Sequence, residues 1–115
     1  MIKIKRIYEP ALPQDGFRML VDRLWPRGIS KEKAALDQWN KEIAPSAPLR
    51  KWFAHKPELF EAFTEKYKKE LLQKEDELRK IKNIARSGNL TLLYAAKDPK
   101  MNNAAILLEV LQQTE

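Results

Sequence analysis

Two segments of the chain carry the side chains whose types and spacing could do chemistry. In the first, Asp22, Arg23 and Arg27 follow the apolar run 19–21 and lie in a loop closed by proline and glycine. In the second, the apolar run 90–95 is followed by Lys97, Asp98, Asn102 and Asn103. Guanidinium groups bind phosphate through paired hydrogen bonds, so these segments predict an anion site.

The predicted site depends on how the two apolar runs pair. If they form neighbouring parallel strands, their carboxyl ends meet at one edge of the sheet, together with the N-terminus of the following helix. The predicted ligand-binding residues are Arg18, Asp22, Arg23, Trp25, Arg27, Lys97, Asp98, Asn102 and Asn103. In this hypothesis Arg23, Arg27 and Lys97 hold the anion and Trp25 covers it. The alternative is a set of helix caps and ion pairs that only tie the loops together.

The candidates for acid–base catalysis are Asp22, Asp98 and His55, and turnover stays an open question at this stage. The chain has no cysteine, which excludes thiol nucleophiles and thiolate metal sites, and a single histidine, which excludes a histidine-rich metal site. The sequence has no P-loop, dinucleotide fingerprint or nucleophile elbow. We therefore predict neither a cofactor nor a metal ion.

Composition and charge indicate which class of protein this chain belongs to and which partners it could bind. The 115 residues predict one domain over 1–115, and 43% apolar with 33% charged residues is typical of a globular chain. No apolar run approaches the ~20 residues that span a bilayer, and the alternating start shows no signal-peptide core, so we expect a cytoplasmic protein without membrane contact. The net charge of +6 admits nucleic acid as a partner. The interleaved Glu and Lys residues over 58–82 favour a helix face exposed to solvent rather than a nucleic-acid-binding surface.

Periodicity outlines the elements that would position the site. Strands are predicted at 2–8, 17–22 and 90–95. Helices are predicted at 31–35, from Ser46 onward, over 58–87 and at 101–113. Ser30 and Ser46 are the expected N-caps. Trp52 and Phe53 are expected in the core. Three questions stay open: whether 58–87 is one helix or two, whether 36–43 is helix or strand, and whether the first strand is antiparallel to the second or reaches it through a short extended link.

The order of elements favours an α/β fold, a small three-layer domain with a mostly parallel sheet of about four strands and helices on both faces. The segments 20–28, 44–55 and 92–104 resemble the YeaO-type branch of domain-of-unknown-function family 488, and the likeness covers nearly the whole chain. The resemblance implies this three-layer fold, a strand near Trp39 and a parallel first strand. It implies no reaction.

The function predicted from the sequence is that of an uncharacterised cytoplasmic α/β protein that binds a small phosphate-bearing or other anionic ligand at the carboxyl edge of its sheet. Two alternatives are a nucleic-acid-associated module that uses the basic surface and a protein-interaction domain without a small ligand. Neither the ligand nor the oligomeric state follows from the residues.

Overall fold

A parallel sheet of four strands in the order β1-β4-β2-β3 forms the centre of the fold. The structure, a computed structural model, describes residues 1–113. The strands are Ile2–Arg6 (β1), Phe17–Leu20 (β2), Gln38–Trp39 (β3) and Leu90–Tyr94 (β4). Every residue of β4 is buried, as expected of a central strand covered on both faces. The predicted parallel sheet is confirmed, and the ambiguous stretch 36–43 contains a strand.

The strand pairing determines the orientation of β1 relative to β2, which the sequence left open. The two strands do not pair with each other, because each pairs in parallel with β4, which lies between them. The antiparallel alternative is therefore wrong. Residues 7–16 form the short link and contain one 3-10 turn, Pro13–Asp15. An extended chain covers about 3.3 Å per residue, so this link is long enough to return along a short strand without a helix.

Asp15 anchors the link in the interior of the fold. Its carboxylate is fully buried and accepts hydrogen bonds from the Leu12 backbone N–H and from the Lys5 and Arg18 side chains. Burial alone would raise the pKa of Asp15, but these hydrogen bonds outweigh it and hold the pKa well below its usual range. The buried carboxylate is therefore ionised and paired.

Helices follow the predicted pattern of caps and breaks. The α-helices of residues 1–113 are Lys31–Ala34 (α1), Ala47–Phe53 (α2), Phe60–Leu72 (α3), Glu75–Arg86 (α4) and Asn103–Gln113 (α5). The predicted caps are confirmed: Ser30 accepts from the Lys33 N–H, and Ser46 accepts from the Leu49 N–H. The segment 58–87 contains two α-helices, because residues 73–74 interrupt it between α3 and α4.

Helices cover both faces of the sheet, which gives the expected three-layer α/β arrangement. One face packs against α2, α3, α4 and α5 in a large core that includes Met19, Leu92, Phe63, Tyr67, Ile81 and Leu107. The other face carries a smaller cluster, in which α1 and the loop after β2 cover Leu20 and Leu93. Among residues 1–113, no helix is long and apolar enough to cross a membrane.

Three details differ from the sequence predictions. Trp52, predicted in the core, is 41% exposed, because α2 turns its Leu49 and Phe53 side chains inward instead. The last helix begins at Asn103 rather than at 101, because Asn102 is its N-cap and accepts from the Ala105 N–H. β1 and β2 each end two residues before the predicted ends, where the chain leaves the sheet toward the candidate site.

Candidate functional site

The candidate site is a cavity at the carboxyl edge of the sheet. It has a volume of about 720 Å³ and is bounded by the segments that follow β1, β2 and β4, by the end of α2 and by the start of α5. Parallel strands deliver their carboxyl ends to a single edge, which is why these segments meet. This is the edge at which the sequence predicts an anion site.

The structure brings together all but one of the residues that the sequence assigned to the site. The cavity is lined by Asp22, Arg23, Trp25, Arg27, His55, Lys97, Asp98, Asn102 and Asn103. Arg18 is the exception and its assignment is corrected. Its side chain is buried within β2, where it bonds to the Asp15 carboxylate and to the carbonyl oxygens of Ala34 (2.9 Å) and Ala35 (3.1 Å). Arg18 is a buried structural partner near the amino end of β2 and does not line the cavity.

Asp22 joins three elements at the floor of the cavity. Its carboxylate accepts a hydrogen bond from the Ala95 backbone N–H at 2.9 Å and one from the side chain of Asn103. Asn103 also donates to the carbonyl oxygen of Val21 at 2.9 Å. Burial raises the pKa of Asp22, although the bonds from Ala95 and Asn103 and the nearby His55 act in the opposite direction. The site thus contains a half-buried carboxyl group whose pKa is raised.

Asp98 and Asn102 build the start of α5. The Asp98 carboxylate accepts from the backbone N–H groups of Lys100 (2.8 Å) and Met101 (3.0 Å), and these bonds lower its pKa. Asn102 is buried, caps α5 and donates to the Asp98 carbonyl oxygen at 2.9 Å. Both side chains line the cavity while holding the turn that leads into the helix.

Arg23 and Arg6 are fixed parts of the wall. Arg23 donates from Nε to the Pro45 carbonyl oxygen at 3.0 Å and from Nη2 to that of Ala44 at 3.3 Å. Arg6, at the end of β1, donates from Nε to the Ala96 carbonyl oxygen at 3.1 Å. These bonds orient each guanidinium at the cavity wall.

Arg50 is the functional candidate that the sequence analysis did not assign to the site. It lies on α2 between the inward-facing Leu49 and Phe53, and Phe53 stacks on Phe63 with ring centroids 4.2 Å apart. Within residues 1–113, the Nε atom of Arg50 is buried without a hydrogen-bond partner. The sequence signal was its place one turn before His55, from which it could extend the basic edge of the site, but that spacing does not say which way the end of α2 points.

His55 reaches the cavity through an unusual backbone turn. Ala54 and His55 both adopt left-handed conformations, with φ of 47° and 56°, directly after α2. Residues other than glycine rarely adopt this conformation, which costs roughly 1–2 kcal/mol. The turn places the exposed imidazole at the cavity rim, 6.0 Å from the Phe53 ring centroid.

Trp25 forms a wall of the cavity rather than a free cover. Its indole N–H donates to the Ile29 carbonyl oxygen at 2.7 Å, and its ring packs edge-on against Trp39 with centroids 5.3 Å apart. Trp39 in turn donates to the Asp22 carbonyl oxygen at 2.8 Å. The ring is therefore held in place on the smaller core and offers one side to the cavity.

Comparison with known proteins identifies relatives along nearly the whole chain. The family model described as "Inactive DUF488-N3 subclade" matches residues 1–115. The chain is 49% identical over 111 residues to the uncharacterized protein YeaO of Escherichia coli strain K12, which covers 96% of both chains. It is 36% identical over 110 residues to the uncharacterized proteins Mb3100c of Mycobacterium bovis and Rv3073c of Mycobacterium tuberculosis, covering 96% of this chain and 92% of theirs. No solved structure matches the chain significantly.

Proposed function

The chain belongs to the DUF488 family, in the subclade described as the inactive DUF488-N3 subclade, and on that premise we propose that its cavity binds a small phosphate-bearing ligand without converting it. The observation that carries the proposal is the buried Nε atom of Arg50, which has no hydrogen-bond partner within residues 1–113. The sequence points to the same ligand class independently through the charges of its two strand-end loops.

The unpaired Nε supports an anionic ligand for energetic reasons. A buried N–H donor without an acceptor loses its hydrogen bond to water and costs roughly 1–3 kcal/mol, more when the group is charged. Guanidinium groups present their donors as a rigid fork that matches the oxygen atoms of a phosphate. Arg50 lines the cavity, so a small rotation of its side chain would let the guanidinium donate to a phosphate bound there.

The charges around the cavity favour the same class of ligand. Cationic side chains outnumber carboxylates in its lining. The cationic residues are Arg6, Arg23, Arg27, Arg50 and Lys97, and the carboxylates are those of Asp22 and Asp98. A concave surface with one dominant sign of charge concentrates the field and attracts ligands of the opposite sign. The volume of about 720 Å³ lies within the range of about 300–1,000 Å³ that is usual for small-molecule sites.

The carboxylates of the cavity are engaged in structure, which supports binding without turnover. The Asp22 carboxylate accepts from the Ala95 N–H, and that of Asp98 accepts from two backbone N–H groups. A general base needs a free lone pair within hydrogen-bond reach of the proton that it removes. Oδ2 of Asp22 and Oδ1 of Asp98 thus hold the loops, and the description of the subclade as inactive agrees with a structural role for both carboxylates.

The proposal is tested by titrating inorganic phosphate into the protein at constant ionic strength, using calorimetry and thermal unfolding. We expect saturable binding and a rise in Tm, because a ligand at 100 times its Kd adds about 2.7 kcal/mol of stability. Arg50→Ala should abolish the rise. The matched control is Arg86→Ala, which removes the same charge from the exposed face of α4.

Three results would contradict the proposal. The first is no binding of phosphate by the wild-type protein. The second is an equal response in Arg50→Ala and wild type, which would mean that phosphate acts as a general salt. The third is binding of a short single-stranded oligonucleotide alone, with an affinity that falls steeply as salt rises, which is the signature of a nucleic-acid surface.

A further inference from the structure

The lining of the cavity also includes exposed apolar side chains, to which the proposed anion site gives no role. Tyr8 and Leu24 line the cavity and are 39% and 57% exposed, and both belong to the large apolar side chains that are exposed among residues 1–113. Trp25 and Met101 also line the cavity. Apolar side chains gathered in a concave site and left open to water are typical of a surface that a ligand covers.

The aromatic ring of Tyr8 is held in position at the rim. Its hydroxyl donates to the Arg27 carbonyl oxygen at 2.8 Å. The guanidinium of Arg6 lies 4.6 Å from the centroid of the Tyr8 ring, which is a favourable cation–π distance. Two contacts therefore fix an exposed aromatic ring before any ligand arrives, and a fixed ring loses little conformational entropy when a ligand packs on it.

A phosphate group alone would not fill the cavity. Inorganic phosphate has only five heavy atoms and would occupy a small part of about 720 Å³. Tyr8 and Trp25 also line the cavity, and their rings pack best against another planar ring. We infer, on the basis of the proposed function, that the ligand is a phosphate monoester that carries an aromatic ring, with the phosphate at Arg50 and the ring against Tyr8.

The test compares the affinities of four probes for the full chain: inorganic phosphate, methyl phosphate, phenyl phosphate and adenosine monophosphate. We expect phenyl phosphate or adenosine monophosphate to bind at least tenfold more tightly than methyl phosphate. The two aromatic probes distinguish a ring next to the phosphate from a ring that is separated from it by a sugar. Equal affinities for methyl phosphate and both aromatic probes would overturn the inference.

Variants of Tyr8 test whether this residue causes the preference for an aromatic phosphate. In Tyr8→Ala and Tyr8→Leu, the ratio of the aromatic to the methyl phosphate affinity should fall below threefold. Tyr8→Phe keeps the ring and loses only the bond to Arg27, so it should retain the ratio. A ratio that stays the same in all three variants would overturn the assignment to Tyr8.

The two proposals fail in different ways. If inorganic and methyl phosphate bind through Arg50 but the aromatic ring adds nothing, the inference is wrong and the proposed function stands. If none of the four probes binds, the proposed function itself is wrong.

Discussion

The carboxylate of Asp22 accepts a hydrogen bond from the backbone N–H of Ala95 at 2.9 Å, so the ends of β2 and β4 are joined directly at the floor of the cavity. The two strands are hydrogen-bonded neighbours up to Leu20 and Leu93. Beyond this last strand pair, the hydrogen bond between the Asp22 side chain and the Ala95 backbone N–H connects the two chain segments. The cationic loops on either side are thereby held at a fixed separation.

The raised pKa of Asp22 predicts a pH dependence of stability. Folding favours the protonated form, so this contribution is fully present below the unfolded pKa of about 4 and is lost as the pH rises through the folded pKa. Asp22→Asn removes it. The Tm of the variant relative to wild type should therefore be higher at neutral pH than at about pH 4.

The measurement is a set of thermal unfolding curves for both proteins across that pH range, together with an NMR titration of the Asp22 carboxyl carbon. Any loss of hydrogen bonding in Asp22→Asn affects both ends of the range and cancels in the comparison. A Tm difference that is independent of pH, or a titration midpoint in the ordinary range, would contradict the prediction.

The ion cluster around Asp15 predicts a large effect on stability. Asp15→Asn leaves the buried guanidinium of Arg18 without its counter-charge, and breaking such a pair costs about 3–5 kcal/mol. Urea unfolding measures this loss. Asp76→Asn is the control, because the ion pair of Asp76 with Arg79 is exposed on α4 and is worth at most about 1 kcal/mol. Similar losses in the two variants would contradict the prediction.

The same carboxylate predicts sensitivity to acid. The pKa of Asp15 is lowered in the folded state, so its contribution is present above the unfolded pKa of about 4 and is lost as the pH falls through the folded pKa. The free energy of unfolding of the wild type should fall below about pH 4, and that of Asp15→Asn should fall less steeply over the same range.

The strand-end loops could be predicted from sequence because their signals are local. The run 90–95 is apolar enough for a central strand, and a central strand has its carboxyl end at the same edge as its parallel neighbours. That argument placed Asp22 and Lys97 in one site without any knowledge of the helices.

Arg50, Arg6 and Tyr8 were not assigned because their positions depend on non-local packing. Arg50 lines the cavity from α2, which packs against α3 through the stacked rings of Phe53 and Phe63. Arg6 and Tyr8 reach it only because β1 is parallel to β4, which a ten-residue link without a helix does not indicate. Arg18 was misassigned for the opposite reason: its charge suggested a ligand, but its buried partner Asp15 comes from the link.

Gly16 predicts a strict requirement for glycine. It has φ of 65°, and a Cβ atom there would clash with the carbonyl oxygen of Asn89. Gly16→Ala should therefore destabilise the fold by more than about 1–2 kcal/mol, the cost of the left-handed conformation alone. Gly88→Ala is the matched control, because a Cβ atom at Gly88 meets nothing within 4 Å. Urea unfolding should show little change for this control, and equal losses in the two variants would contradict the prediction.

The left-handed turn after α2 predicts a stabilising substitution. Ala54 holds φ of 47° as the C-cap of α2, a position that glycine occupies without the steric cost of a Cβ atom. Ala54→Gly should raise the free energy of unfolding by about 0.5–1 kcal/mol, since the relief of roughly 1–2 kcal/mol exceeds the added entropy of the unfolded chain. Ala62→Gly, at an exposed position within α3, should lower it by about 1 kcal/mol.

The Ala54→Gly variant also tests how His55 reaches the cavity. Ala54 does not line the cavity, so phosphate binding should be unchanged while stability rises. If Ala54→Gly destabilises the protein as much as Ala62→Gly does, the chain does not make this left-handed turn in solution. Without that turn the backbone would not bring His55 to the rim, and Phe53 would be the last residue of α2 and its C-terminal turn to line the site.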